Sequence, residues 1–140
     1  MKDKTYEILE HTADIAVRIK AQDLKELFKN AGLAIFQISS RKQFAKNKSH
    51  IDLSIKLKAD DLEQLFINWL NELLSLSATH NLVFYNIKIN KLGGNNLEAI
   101  AIGNDMGNYK VYTEIKAATY HQLKIEETKE GWSAEVIFDV

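Results

Sequence analysis

The sequence has 140 residues, of which 46% are hydrophobic, 26% charged and 9% aromatic, as in an ordinary soluble globular domain. Eighteen basic and nineteen acidic side chains give a net charge of -1, which carries no overall signal for nucleic-acid binding. The chain has no cysteine, so disulfide scaffolds, thiolate metal sites and thiol nucleophiles are excluded. Six glycines and no proline leave no glycine-rich phosphate loop. A polar start and no apolar run of about 18 residues predict a cytoplasmic protein.

The N-terminal part predicts two strands followed by a helix. Residues 5–9 form a short β-type run, and residues 15–20 alternate apolar and polar side chains as in a half-buried strand. A polar break separates the two runs. Asp23 and Glu26 have the spacing of a capping box. Apolar residues then recur at helical spacing over residues 24–38, which predicts an amphipathic helix.

The middle of the chain predicts a loop, a strand and a second helix. Residues 39–49 are polar and basic, as is typical of a loop. Residues 51–58 alternate strictly between apolar and polar side chains, which is the clearest strand pattern in the sequence. Asp60 and Glu63 repeat the capping spacing, and a wide apolar stripe predicts a helix that ends near Thr79.

The remainder is predicted to be entirely β. Alternation and turn residues predict strands over 83–89, 97–102, 111–117, 123–127 and 133–138, with a loop over 103–108. The predicted order is therefore β-β-α-β-α-β-β-β-β-β. Because the strands are grouped rather than alternating with helices, this order predicts an α+β fold with a largely antiparallel sheet. No repeat, linker or low-complexity tract occurs, which predicts one domain over residues 1–140.

Three positions could carry chemistry, and each has a purely structural alternative. His11 and Asp14 suit a metal site or an acid–base pair, unless Asp14 only bonds loop amides and His11 lines a sheet edge. Asp139 places a carboxylate beside the terminal carboxylate, which suits Ca²⁺ or Mg²⁺ unless the strand end is merely solvated. Lys116 could bind phosphate or a partner's carboxylate, or simply face outward from a strand.

The other candidates are less distinctive. Tyr120 and His121 could line a site or pack at a strand junction. The stretch Arg41–Lys48 carries four positive charges and no acid, which suits RNA phosphates or a solvated surface. Trp69 lies in the apolar stripe of its helix, so it is predicted to be a core residue. No Ser–His–Asp order or HExxH motif occurs.

Four segments of the sequence together resemble the archease family, in the order in which the family has them. They are Tyr6–Ile15, Asn68–Leu74, Ile115–His121 and Val136–Val140, and together they extend over essentially the whole chain. The resemblance implies the archease fold and a non-catalytic protein cofactor of the GTP-dependent RtcB-type RNA ligase. That ligase acts in tRNA splicing and RNA repair, and archeases promote its guanylylation and its multiple turnover.

The resemblance also implies a site. A divalent cation, Ca²⁺ in preference to Mg²⁺ or Mn²⁺, is expected at Asp14, Asp139 and the main chain of Val140. Lys116 is the expected functional lysine, with His11, Tyr120 and His121 as further candidate contacts to the ligase. We expect a monomer that reaches RNA indirectly through the ligase and does not bind membranes. The alternatives are an RNA-binding module or chaperone that uses Arg41–Lys48, and a small metal-dependent hydrolase built on His11, Asp14 and Asp139.

Overall fold

The computed structural model describes residues 5–11, 14–43 and 50–140. In chain order the elements are β1 (Tyr6–His11), β2 (Asp14–Ala21), α1 (Leu24–Ser39), β3 (Ser40–Lys42), β4 (Ile51–Lys58), α2 (Leu62–His80), β5 (Leu82–Gly93), β6 (Asn96–Asp105), β7 (Tyr109–Val111), β8 (Ala117–Thr128) and β9 (Gly131–Asp139). A short 3₁₀ turn, Met106–Asn108, connects β6 to β7. This arrangement confirms the predicted α+β fold with antiparallel pairing.

The strands form two larger sheets and one small one. The first has four strands in the order β1-β2-β9-β8, and the second has three in the order β4-β6-β5. The strands β3 and β7 form a two-stranded antiparallel pair beside them. All of the described pairings are antiparallel, and the first sheet joins early and late parts of the chain because β2 pairs with β9.

Both helices pack against strands of both larger sheets, so the core lies between the sheets and contains the helices. Trp69 on α2 is fully buried, and its indole N–H donates a hydrogen bond of 2.8 Å to the Phe28 carbonyl of α1. Gly32 allows this close approach, because an added Cβ would lie 2.7 Å from Leu73 Cδ1 and 2.9 Å from Ile87 Cδ1. The core role predicted for Trp69 is confirmed. No described helix is long and apolar enough to cross a membrane.

The predicted caps were correct for the first helix and wrong by one residue for the second. Asp23 accepts a hydrogen bond from the Glu26 amide at 2.8 Å, as the spacing predicts. At α2 the cap is Asp61, which accepts from the Gln64 amide at 2.8 Å, and not Asp60. Gln serves as well as Glu at the third helical position. The sequence therefore contains two overlapping pairs with the capping spacing, Asp60 with Glu63 and Asp61 with Gln64, and the second pair forms the cap.

The predicted strand over residues 111–117 was wrong. The strand β7 ends at Val111 and β8 begins at Ala117, with irregular backbone between them. The amides of Tyr112 and Thr113 donate to the Ser39 carbonyl at the end of α1, at 2.8 and 3.3 Å. Because these amides are bonded to the helix end, the segment cannot extend a sheet ladder there.

Two predicted loops are partly ordered elements. Within the loop predicted over 39–49, the strand β3 pairs with β7, while residues 44–49 lie outside the described part of the chain. Within the loop predicted over 103–108, β6 continues to Asp105, which is opposite Leu82 of β5. The Asp105 carboxylate then accepts from the Gly107 amide at 2.7 Å and starts the 3₁₀ turn.

The β8–β9 hairpin depends on a glycine. Gly131 has φ +140°, and a Cβ there would lie 2.2 Å from the Ala21 carbonyl oxygen. We expect Gly131→Ala to lower the free energy of unfolding by about 3 kcal/mol, from backbone strain and overpacking. Gly93→Ala is the matched control, because a Cβ there has nothing within 4 Å. Urea denaturation of both variants checks this, and equal stabilities would contradict it.

Candidate functional site

Three strand ends meet at one end of the four-stranded sheet. Asp139, the last residue of β9, lies opposite Asp14 of β2 on one side and Ala117 of β8 on the other. Directly opposed residues of antiparallel strands have Cβ atoms about 5 Å apart. The two carboxylates are therefore close neighbours, although 14 and 139 are near opposite ends of the sequence.

Both aspartates lie on the outer face of this sheet. Alternate residues of β2 and β9, such as Ile15 and Phe138, are buried against the helices, whereas Asp14 and Asp139 are exposed. Like charges directly opposite each other destabilise a sheet. The pair is therefore unfavourable by itself and would be relieved by a cation.

The same two strands carry a second, oppositely charged pair on this outer face. Arg18 lies opposite Glu135, and its Nε and Nη2 atoms donate to Glu135 Oε1 at 3.0 and 2.7 Å. The hydrogen bonds that Arg18 donates to Glu135 raise the pKa of Arg18, against a smaller opposing effect of desolvation. On the outer face, Glu135 therefore lies opposite a cation, whereas Asp139 at the sheet end lies opposite another carboxylate.

Lys116 is attached to the sheet end by its backbone. Its amide donates to the Asp139 carbonyl at 2.9 Å, immediately before β8 begins, and its side chain is exposed. Val140, which follows Asp139, is partly buried and packs against the core. The residues that the resemblance implicates are thus held together by two strand pairings, one backbone hydrogen bond and one apolar contact.

Asn71 of α2 positions the start of β8 and was not singled out by the sequence analysis. Its side-chain oxygen accepts from the Ala118 amide at 2.8 Å, and its side-chain nitrogen donates to the Ala118 carbonyl at 3.2 Å. One amide group therefore satisfies both backbone groups of an edge-strand residue two positions after Lys116. Asn71 is one of three polar residues in the Asn68–Leu74 motif, so the sequence alone gave no signal that distinguished it.

Tyr120 and His121 lie further along β8 than the carboxylates. The β8–β9 register is interrupted between Thr119 and Lys124, and Gln122 within this irregular segment has φ 53°. Both side chains are exposed there, and Tyr120 lies three residues, or about 10 Å, along the strand from Ala117. The structure therefore places them on the same edge strand, further along it than the sheet end that carries the carboxylate pair. The side chain of His11, which we expect to contact the ligase, lies outside the described part of the structure.

The donor chemistry of the sheet end fits a hard cation. Asp14, Asp139 and the adjacent main chain supply only oxygen atoms, which Ca²⁺ and Mg²⁺ prefer. No group of three or more His, Asp or Glu side chains with metal-site geometry occurs among residues 5–11, 14–43 and 50–140. A cation held here would need main-chain, water or partner oxygens to complete its coordination.

The position of Lys116 should depend on Asn71. We expect Asn71→Ala to lower the free energy of unfolding by about 2 kcal/mol, since two backbone groups lose their partners. Amide hydrogen exchange should also speed up at Ala118 relative to the β2–β9 pairing. Asn68→Ala, an exposed change on the same helix, should have neither effect. Unchanged exchange at Ala118 in Asn71→Ala would contradict the positioning role.

Comparison with known proteins agrees with the fold and with the resemblance. The model of the archease protein family (MTH1598/TM1083) matches residues 6–140. Protein archease of Methanosarcina acetivorans is 37% identical, over 98% of this chain and 97% of that protein. Protein archease of Pyrococcus abyssi is 34% identical, over 98% and 99%.

Two solved structures are similar as well. Protein 1598 of Methanobacterium thermoautotrophicum has a TM-score of 0.74 and 24% identity, covering 99% of this chain and 100% of that one, which shows the shared fold. An archease from Thermotoga maritima (TM1083), described as a possible chaperone, has a TM-score of 0.62 and 25% identity over 96% of both chains. The family match over nearly the entire sequence shows that this chain belongs to the archease family.

Proposed function

We propose that this protein is a non-catalytic activator of the GTP-dependent RtcB-type RNA ligase. The observation that carries the proposal is the opposed, exposed pair Asp14 and Asp139 with Lys116 bonded beside it. This arrangement occurs at the positions where the archease resemblance implies the functional residues. Its exposure suits a surface that acts on another protein.

The charge arrangement suggests how the sheet end would act on the ligase. A divalent cation, with Ca²⁺ favoured, would neutralise the two carboxylates and offer open coordination positions to a partner's oxygens. Lys116 would add a flexible positive charge able to bind phosphate or a carboxylate of the ligase. The β2–β9 ladder fixes the backbone of both aspartates, so contact would cost little backbone ordering of this chain.

A hydrolase built on the sheet end would need more than the carboxylate pair. Among the described residues, the two carboxylates are exposed, and no third acidic or histidine side chain joins them in a metal-binding group. A separate general base within reach of a bound water is the usual requirement. The exposed pair therefore supports the activator proposal more strongly than the hydrolase alternative. The proposal includes a cytoplasmic location for this protein.

Ligation should depend on Asp139 and Lys116. In multiple-turnover ligation with GTP and Mn²⁺, we expect the wild-type protein to stimulate the ligase. Asp139→Asn and Lys116→Ala should each lose stimulation by about tenfold or more, as when one charged partner of a contact is removed. Transfer of guanylate from labelled GTP to the ligase should show the same losses.

Glu126→Gln is the matched control, because this exposed carboxylate lies on β8 of the same sheet, remote from the sheet end. It should stimulate as the wild type does. Absence of stimulation by the wild type would overturn the proposed function. Equal stimulation by Asp139→Asn would overturn the role of the carboxylate pair, and phosphoester turnover without ligase would favour the hydrolase.

Cation binding should also change stability. In EDTA at low ionic strength, we expect Asp139→Asn to be more stable than wild type by about 0.5 kcal/mol, because a like-charge pair is removed. Added Ca²⁺ should raise the melting temperature of the wild type and of Glu126→Gln, but not that of Asp139→Asn. Differential scanning calorimetry measures both effects. An equal Ca²⁺ response in Asp139→Asn would exclude a cation site at this pair.

A further inference from the structure

A groove lies along the exposed side of α1, between the two edge strands β1 and β5. It has a volume of about 620 Å³, which is within the range of pockets that hold small ligands. Tyr6 lines it from β1, Lys29 and Gln37 from α1, and Tyr85 from β5. The strand β3 supplies Arg41 and Lys42, and no Asp or Glu is among its described lining residues.

The groove concentrates positive charge in a protein whose net charge is -1. Lys29, Arg41 and Lys42 all line it, and none of them belongs to a salt bridge within residues 5–11, 14–43 and 50–140. Three cations in a lining that contains no described carboxylate make a local anion-attracting surface.

Arg41 is held in place for such a contact. Its Nη1 atom donates to the Ser40 carbonyl at 2.9 Å and to the Gln37 carbonyl, at the C-terminal end of α1. A guanidinium has five N–H donors, so an anchor made by Nη1 leaves the other nitrogens able to bind an anion.

A strand irregularity presents an aromatic ring at the same groove. The β5–β6 register shifts between Phe84 and Asn86, so Tyr85 has no partner on β6. As a result Tyr85 and Asn86 are both exposed, whereas strict alternation would have buried one of them. Tyr85 remains 46% exposed. Bulges of this kind re-aim side chains and are frequent beside functional sites.

The groove is separate from the carboxylate pair. Tyr6 lies opposite Ile19, five residues along β2 from Asp14. At about 3.3 Å per residue, this places the groove about 17 Å from the sheet end. The two surfaces can therefore act independently.

We propose that this groove binds a single-stranded nucleic acid, with phosphates at Lys29, Arg41 and Lys42 and one base stacked on Tyr85. Sites for single strands combine a positively charged groove with exposed aromatic rings that stack on bases. A duplex keeps its bases paired, so a ring within a groove of this size favours an unpaired strand. The inference does not depend on the proposed ligase activation.

Fluorescence anisotropy with a labelled single-stranded RNA of about ten nucleotides tests the proposal at about 50 mM salt. We expect the RNA to bind. The logarithm of the association constant should fall with the logarithm of the salt concentration with a slope of about -2, as three phosphate contacts predict. Tyr85→Ala should weaken binding by about fivefold or more, and Lys42→Ala and Lys29→Ala by several-fold each.

Lys58→Ala and Tyr112→Ala are matched controls, since both side chains are exposed and lie outside the lining of the groove. Both should bind as the wild type does. The proposal is overturned if the wild type does not bind, or if Tyr85→Ala and Lys42→Ala bind as tightly as the controls. The proposal is also overturned if inorganic polyphosphate competes for the groove as well as unlabelled RNA does and Tyr85→Ala does not weaken RNA binding. The assay contains no ligase, so its failure leaves the activator proposal unaffected.

Discussion

The structure depends most on the pairing of β2 with β9. Eight consecutive residue pairs, from Asp14 with Asp139 to Ala21 with Trp132, fix the register of these two central strands. The inward residues of both strands complete the core with the helices, and a slip by one position would turn every inward side chain outward. The same register sets which charges face each other outside: Arg18 faces Glu135, and Asp14 faces Asp139. Core packing therefore determines the composition of the candidate site.

Much of the fold could be predicted because its signals are local. Strict alternation over Ile51–Lys58 and the apolar stripes of α1 and α2 each reflect one element packed on a core, and all three are where the sequence places them. The errors in the predicted secondary structure occur where contacts between distant parts of the sequence determine the local conformation. Residues 112–116 have a strand-like composition, but the amides of Tyr112 and Thr113 bond to the end of α1 instead. Likewise, β3 is too short to predict without its partner β7.

The candidate site was predictable from the sequence only through its resemblance to a family. From the residues alone, Asp14 and Asp139 are two acids in unrelated segments, and their proximity follows only from the tertiary pairing. Asn71 carries no local sign that its amide bonds to Ala118, 47 positions away. Tyr120 and His121 lie in an irregular segment of β8 that no turn residue marks in the sequence. The sequence thus shows which side-chain chemistry is present, but not which side chains lie next to each other in the fold.

The pairing of β2 with β9 has a consequence for how the protein folds. Its partners are far apart in the sequence, as shown by Arg18 and Glu135, which are separated by 117 positions. Contacts of such long range require closure of a large loop, and high contact order slows folding. The β1–β2 hairpin and the helices can form from nearby residues, whereas the sheet end can assemble only when β9 docks. The carboxylate pair therefore reports on completed folding, and partly folded chains would not display it.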